Sequence, residues 1–94
     1  MKLRYTRTAL TQLDNISTYI AIYNPAAAQR VLARIHRAIR RLTRFPHSAR
    51  LTTQAETRAL TVPGFPYVVY YTVDTAAREV RILRVLHARQ DRDD

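Results

Sequence analysis

Few side chains in this sequence can do acid–base or nucleophilic work, and they gather near its C-terminal end. His87 closes a β-rich run from Glu79, where an imidazole that titrates near neutrality would suit a general acid or base. The simpler reading of that position is a structural histidine that only hydrogen-bonds. Strand alternation puts Val80, Ile82 and Leu86 on one face, interrupted by Arg84, and Leu83, Val85 and His87 on the other. A strand arginine among apolar neighbours must snorkel, pair with an acid or point into a polar concavity. Glu56 and Arg58, on one side of an earlier strand, would supply such a partner or a second positive group. No serine or cysteine lies near His87 to complete a nucleophilic triad, and paired carboxylates are lacking.

Other chemistries are excluded by composition. The chain has no cysteine, so disulfides, iron–sulfur clusters and thiolate zinc sites are ruled out. His36, His47 and His87 are too scattered to suggest a metal site. Gly64 is the single glycine, too few for a P-loop or a dinucleotide fingerprint. Neither a metal nor a cofactor is expected.

Charge is the stronger signal. In 94 residues, 16 are basic and 7 acidic, giving a formal charge of +9. Lys2 is the one lysine; the rest of the basic side chains are arginines, whose planar donor fork matches carboxylate and phosphate. An arginine-rich genome accounts for part of the Arg/Lys ratio but not for the net excess. A polyanionic partner is implied, either an acidic protein segment or nucleic acid bound directly. Against direct nucleic-acid binding, the basic face lacks interleaved aromatics and any recognition-helix signature.

These residues must be carried by regular elements. Lys2 to Thr6 alternate and read as a strand. With Thr8 as N-cap, Leu10, Leu13, Ile16, Ile20 and Tyr23 follow at helical spacing. Asn24-Pro25 breaks this helix and starts a second over about residues 25–44, with Ala28, Val31, Leu32, Ile35, Ile39 and Leu42 as its apolar stripe. Arg30, Arg34, Arg37, Arg41 and Arg44 fall within an arc of roughly 80° on the opposite side. Such a row is either a solvated face or a surface for an anionic partner. Residues 47–55 read as a loop, Glu56–Val62 as a strand and Tyr67–Val73 as a strand covered on both faces. A turn at 74–78 leads to a last strand, Glu79–His87, and residues 88–94 form a polar tail.

The expected fold is therefore a single α+β domain over 1–94, of two layers. A helical hairpin covers one face of a mainly antiparallel sheet, the last three strands form a meander, and the first strand joins beside a later one. No signal peptide or membrane-length apolar run is visible, so a soluble cytoplasmic protein is expected.

The segments Thr8-Ala9-Leu10 with Leu13, Asn24-Pro25-Ala26-Ala27-Ala28, Leu42 with Phe45-Pro46, Tyr67-Val68-Val69-Tyr70-Tyr71 and Ile82 to Asp91 occur in an order that resembles the ParE branch of the RelE/ParE toxin superfamily. The most specific piece is the strand ending Leu86-His87-Ala88-Arg89. That resemblance implies the toxin of a bacterial type II toxin–antitoxin (plasmid stabilisation) module. An antitoxin with an acidic amphipathic C-terminal segment would neutralise it, for which Arg30, Arg34, Arg37, Arg41 and Arg44 are the candidate contacts. ParE-like members poison DNA gyrase, and His87, Arg89, Gln90, Asp91 and Arg92 are the candidate gyrase contacts. RelE-like members instead cleave messenger RNA on the ribosome. At positions where those nucleases carry an arginine and a late tyrosine or lysine, this chain has Val68 and Ala88-Arg89-Gln90. The resemblance therefore favours gyrase poisoning with no catalytic residue. The alternative, an mRNA interferase, would rest on Arg58, Arg84 and His87.

Overall fold

The computed structural model describes residues 1–90; Asp91 and Arg92, expected among the target contacts, lie outside them. Strand β1 (Lys2–Tyr5) passes directly into helix α1 (Arg7–Tyr23). The cap is Thr6, two residues before the expected Thr8. Its Oγ1 accepts the Ala9 N–H at 3.0 Å, and the same hydroxyl donates to the Leu83 carbonyl at 2.6 Å. Thr6 ends the strand and starts the helix at once, so no loop separates them.

Capping at Thr6 also sets which side of α1 is buried. Ala9 and Leu13 are buried and Ile16 and Ile20 half-buried, a seam with steps of four, three and four. Leu10 and Tyr23, expected inside, are 54% and 76% exposed. Leu10 is about 100° from Ala9 around the helix, and the small Ala9 allows the closer approach. Tyr23 lies off the seam and meets Tyr19 edge-on, ring centroids 5.7 Å apart.

Helix α2 (Pro25–Arg41) begins as the sequence suggests, with Pro25 in its first turn and Asn24 accepting the Ala27 N–H at 3.0 Å. It ends at Arg41, short of residue 44. The Leu42 and Thr43 N–H groups bond three residues back, to Ile39 and Arg40, which tightens the chain into turns. Ala28, Val31, Ile35, Ile39 and Leu42 are buried as expected.

Among the described residues the sheet has five strands in the order β1-β5-β4-β3-β2, with β2 (Arg50–Leu51), β3 (Arg58–Thr61), β4 (Tyr67–Asp74) and β5 (Glu79–His87). β1 runs parallel to β5, and the other pairs are antiparallel. β2 lies within the segment expected to be loop, because two residues are too short for a period to show. Glu56 precedes β3 in a left-handed turn (φ 55°), so it does not share a strand face with Arg58.

β4 is covered on both faces, as its composition implies. Tyr67, Val69 and Tyr71 face the helices with Val80, Ile82 and Val85, while Val68 and Tyr70 join Ala59 in a smaller cluster on the far side. The expected alternation along β5 fails at one point. Tyr71 pairs with Ile82 and Tyr70 with Arg84, leaving Leu83 as an extra residue in a bulge. The bulge resets the faces: Val85 joins Val80 and Ile82 in the core, and Leu86 packs on the far side with Leu83.

Candidate functional site

The first feature is a recess of about 650 Å³ along the flank of α2. Arg34, Arg37, Arg40, Arg41 and Arg44 line it, over an apolar floor that includes Ala38, Leu60 and Phe45. α2 contains no acidic residue, so nothing on its own helix neutralises this row. Two guanidiniums are held in place. Arg34 donates to the Pro63 carbonyl at 3.0 Å and lies 5.7 Å from the Phe65 ring centre, and Arg41 lies 5.3 Å from that of Phe45. Four of the five expected arginines converge here. Arg30 does not line the recess, whereas Arg40 does. Wrapping the row around a helix end beside β3 makes it a trough rather than a flat face.

The second feature lies on the opposite side of the hairpin, between α1 and the C-terminal half of β5. Its volume is about 530 Å³, and Gln12, Ile16 and Tyr19 on α1 face Tyr67, His87 and Gln90 across it. The His87 ring meets Tyr67 edge-on at 5.4 Å between ring centres. His87 Nδ1 accepts the Arg89 N–H at 3.0 Å, which leaves Nε2 to carry the proton of the neutral ring. Burial pushes the Tyr67 hydroxyl above its ordinary value, with the nearby Tyr19 adding to the effect, so it stays a neutral donor at physiological pH. His87 and Gln90 thus sit in one groove, and Arg89 is exposed beside it. The α1 wall was missed, although Gln12, Ile16 and Tyr19 at steps of four and three mark one helical line.

The residues of a nuclease reading do not converge. Arg58 sits opposite Tyr71 on the helix side, its Nη1 donating to the Ala49 and His47 carbonyls at 2.7 and 3.2 Å. Arg84 stands on the far face, 4.2 Å above the Tyr70 ring centre, with Nη2 donating to Gln54 Oε1 at 3.4 Å. His87 pairs with Tyr67 on the helix side. Burial likewise raises the Tyr71 hydroxyl, opposed in part by a hydrogen bond from the Ala49 backbone and by the Arg58 charge. Among the described residues no group of histidines and carboxylates could hold a metal, and no helix is long and apolar enough to cross a membrane.

Residues 3–92 match the family described as the ParE toxin of the type II toxin–antitoxin system, parDE. The chain belongs to the ParE toxin family. Relatives of this toxin include the Sinorhizobium fredii protein named "Putative toxin Y4kP", 40% identical over 95% of this chain and 90% of that one. "Toxin RelE2" of Caulobacter vibrioides is 38% identical over 89% of this chain and 91% of its own. Among solved structures, a chain of the chromosomal ParDE system from P. aeruginosa superposes with a TM-score of 0.79 at 26% identity, covering 93% of this chain and 95% of that one. The E. coli RelBE complex gives a TM-score of 0.67 at 12% identity over 93% and 95% of the two chains, a likeness of fold. The two-layer arrangement of this ParE-family toxin is thus shared in fold with the matched chains of the ParDE and RelBE systems.

Proposed function

We propose that this toxin poisons DNA gyrase in the cytoplasm and is neutralised by an antitoxin that carries an acidic amphipathic segment. The observation that carries the first part is the scatter of its acid–base candidates. Cleaving RNA needs a base, an acid and fixed positive charge around one phosphate. Here Arg58 is spent on backbone carbonyls, Arg84 lies on the other face, and His87 is tied to the Arg89 N–H. A toxin that acts by occupying its target needs none of these groups. The groove-lining His87 and Gln90, with Arg89 and the following Asp91 and Arg92, are the proposed gyrase contact.

For neutralisation, the α2 trough combines guanidiniums with an apolar floor, which suits a segment that alternates carboxylates with apolar anchors. Arg34, Arg37, Arg41 and Arg44, together with Arg40, are the proposed contacts, with Arg30 at the margin.

A second reading, a ribosome-dependent mRNA endoribonuclease, is favoured by the Caulobacter relative's name, RelE2. One experiment separates the two. Purified toxin is added to gyrase with supercoiled plasmid, and in parallel to translating ribosomes with message. Linear DNA that accumulates only with gyrase is the expected outcome. Codon-positioned cuts in RNA with unbroken plasmid would replace the proposal with the nuclease.

A further inference from the structure

The arginines of α2 form a line, and no acid interrupts it. Among the described residues the carboxylate side chains are Asp14, Glu56, Asp74 and Glu79, and none lines the α2 recess. The Met1 ammonium donates to the Thr43 carbonyl at 3.2 Å, which brings a further positive charge to the end of the row. From Arg34 to Arg41 the helix advances about 10 Å. Over that length one strand of duplex DNA carries about three phosphates. Arg34, Arg37 and Arg41 therefore meet a phosphate backbone at close to its own spacing. The Pro63 carbonyl takes one N–H of Arg34 at 3.0 Å and holds the side chain in place, leaving the rest of its donor fork for an anion.

The lining also discriminates between backbones. Phe45 and Phe65 are each faced by a guanidinium, that of Arg41 at 5.3 Å and that of Arg34 at 5.7 Å, so neither ring is a platform for unstacked bases. That favours a duplex, whose bases are stacked inside. The rest of the floor, Ala38, Leu60 and Pro63, is apolar, and the polar side chains of the lining are all arginines, which only donate. A ribose 2′-hydroxyl would find no side-chain acceptor here, whereas the more apolar deoxyribose packs against carbon. A recognition helix is not required, because phosphate contacts hold a duplex without reading its bases.

We propose that the α2 recess grips one strand of duplex DNA through its phosphates, whatever the base sequence, when no protein partner fills it. An acidic segment and a DNA strand would compete for the same guanidiniums, so a partner seated in the recess would also take the toxin off DNA. The contact needs no gyrase and stands apart from the gyrase reading above.

Fluorescence anisotropy of a labelled DNA duplex of about 20 base pairs, titrated with the purified full chain and no gyrase, tests this. Binding at about 50 mM salt should be micromolar, with log K falling against log salt at a slope of about −3 to −5. Arg37→Ala with Arg41→Ala, both exposed side chains, should weaken binding at least about tenfold and flatten the slope by about 2. Lys2→Ala with Arg81→Ala removes the same charge from the sheet face turned away from the helices, and should change affinity by less than about threefold. A duplex of scrambled sequence should bind within about twofold, and an RNA duplex of the same sequence more weakly. Equal losses in the two double variants would mean that net charge alone is at work, and would overturn the recess as the site. Equal or tighter binding of the RNA duplex would overturn the assignment to DNA. No binding at about 50 mM salt would leave the row to protein carboxylates and overturn the proposal whole, with the gyrase reading untouched.

Discussion

At the scale of single residues, the buried tyrosines hold the fold by staying neutral. The Tyr71 hydroxyl donates to the Pro46 carbonyl at 2.7 Å, tying the segment after α2 to the middle of the sheet. Its affinity for the proton is raised in the folded state, as are those of Tyr5 and Tyr67. Above the ordinary value of 10.0 the unfolded chain sheds these protons while the folded chain retains them. Stability is therefore fully present below pH 10 and lost as pH rises through the folded values. Tyr71→Phe should cost about 1 kcal/mol at neutral pH, by urea denaturation, because the bond to Pro46 goes. It should also flatten the alkaline loss of stability. A variant with the wild-type alkaline slope would contradict that account.

Among the elements, the junctions matter more than the helices they join. Thr6 accepts from Ala9 and donates to Leu83, so it fastens α1 to the bulge of β5. Thr6→Ala should destabilise by about 1–2 kcal/mol, whereas Thr6→Ser, which retains both bonds, should cost far less. Asn24→Ala removes a cap alone and should cost about 1 kcal/mol in thermal unfolding. These junctions also show what the sequence reveals. Asn24-Pro25 is legible because proline and its preceding residue carry backbone preferences of their own. Thr6 and Thr8 are alike as caps, and what decides between them is a carbonyl 77 residues away. The same holds for β5: alternation places its side chains correctly up to Ile82, but the bulge at Leu83 answers to pairing with β4 and leaves no local mark. The arginine row was visible as a periodicity, while the replacement of Arg30 by Arg40 depends on where β3 and the end of α2 meet.

For the molecule as a whole, positive charge is unevenly spent. The Arg4–Glu79 pair, 3.1 Å long, lies at an exposed edge and adds little to stability. The α2 row stays available to an outside partner. Arg37→Ala, Arg41→Ala and Arg44→Ala combined should slow association with an acidic antitoxin roughly tenfold at low salt and flatten its dependence on ionic strength. Stopped-flow mixing over a salt series would measure it, and an unchanged low-salt rate would remove the trough from the encounter. Fold class was recoverable from order and period because local rules agree along most of the chain. The α1–β5 groove was not, since it exists only after the first and last strands have met.

That meeting has a temporal side. β1 finds its partner in the last described strand, Lys2 lying opposite Glu79, a span of 77 residues along the chain. With synthesis at about 5–20 residues per second, the opening segment waits about 4–15 s for the strand it needs. A nascent chain arrested before Glu79 should accordingly yield no protease-resistant core. The α1–β5 groove of this ParE-family chain thus comes into being only after β5 has been made and has met β1.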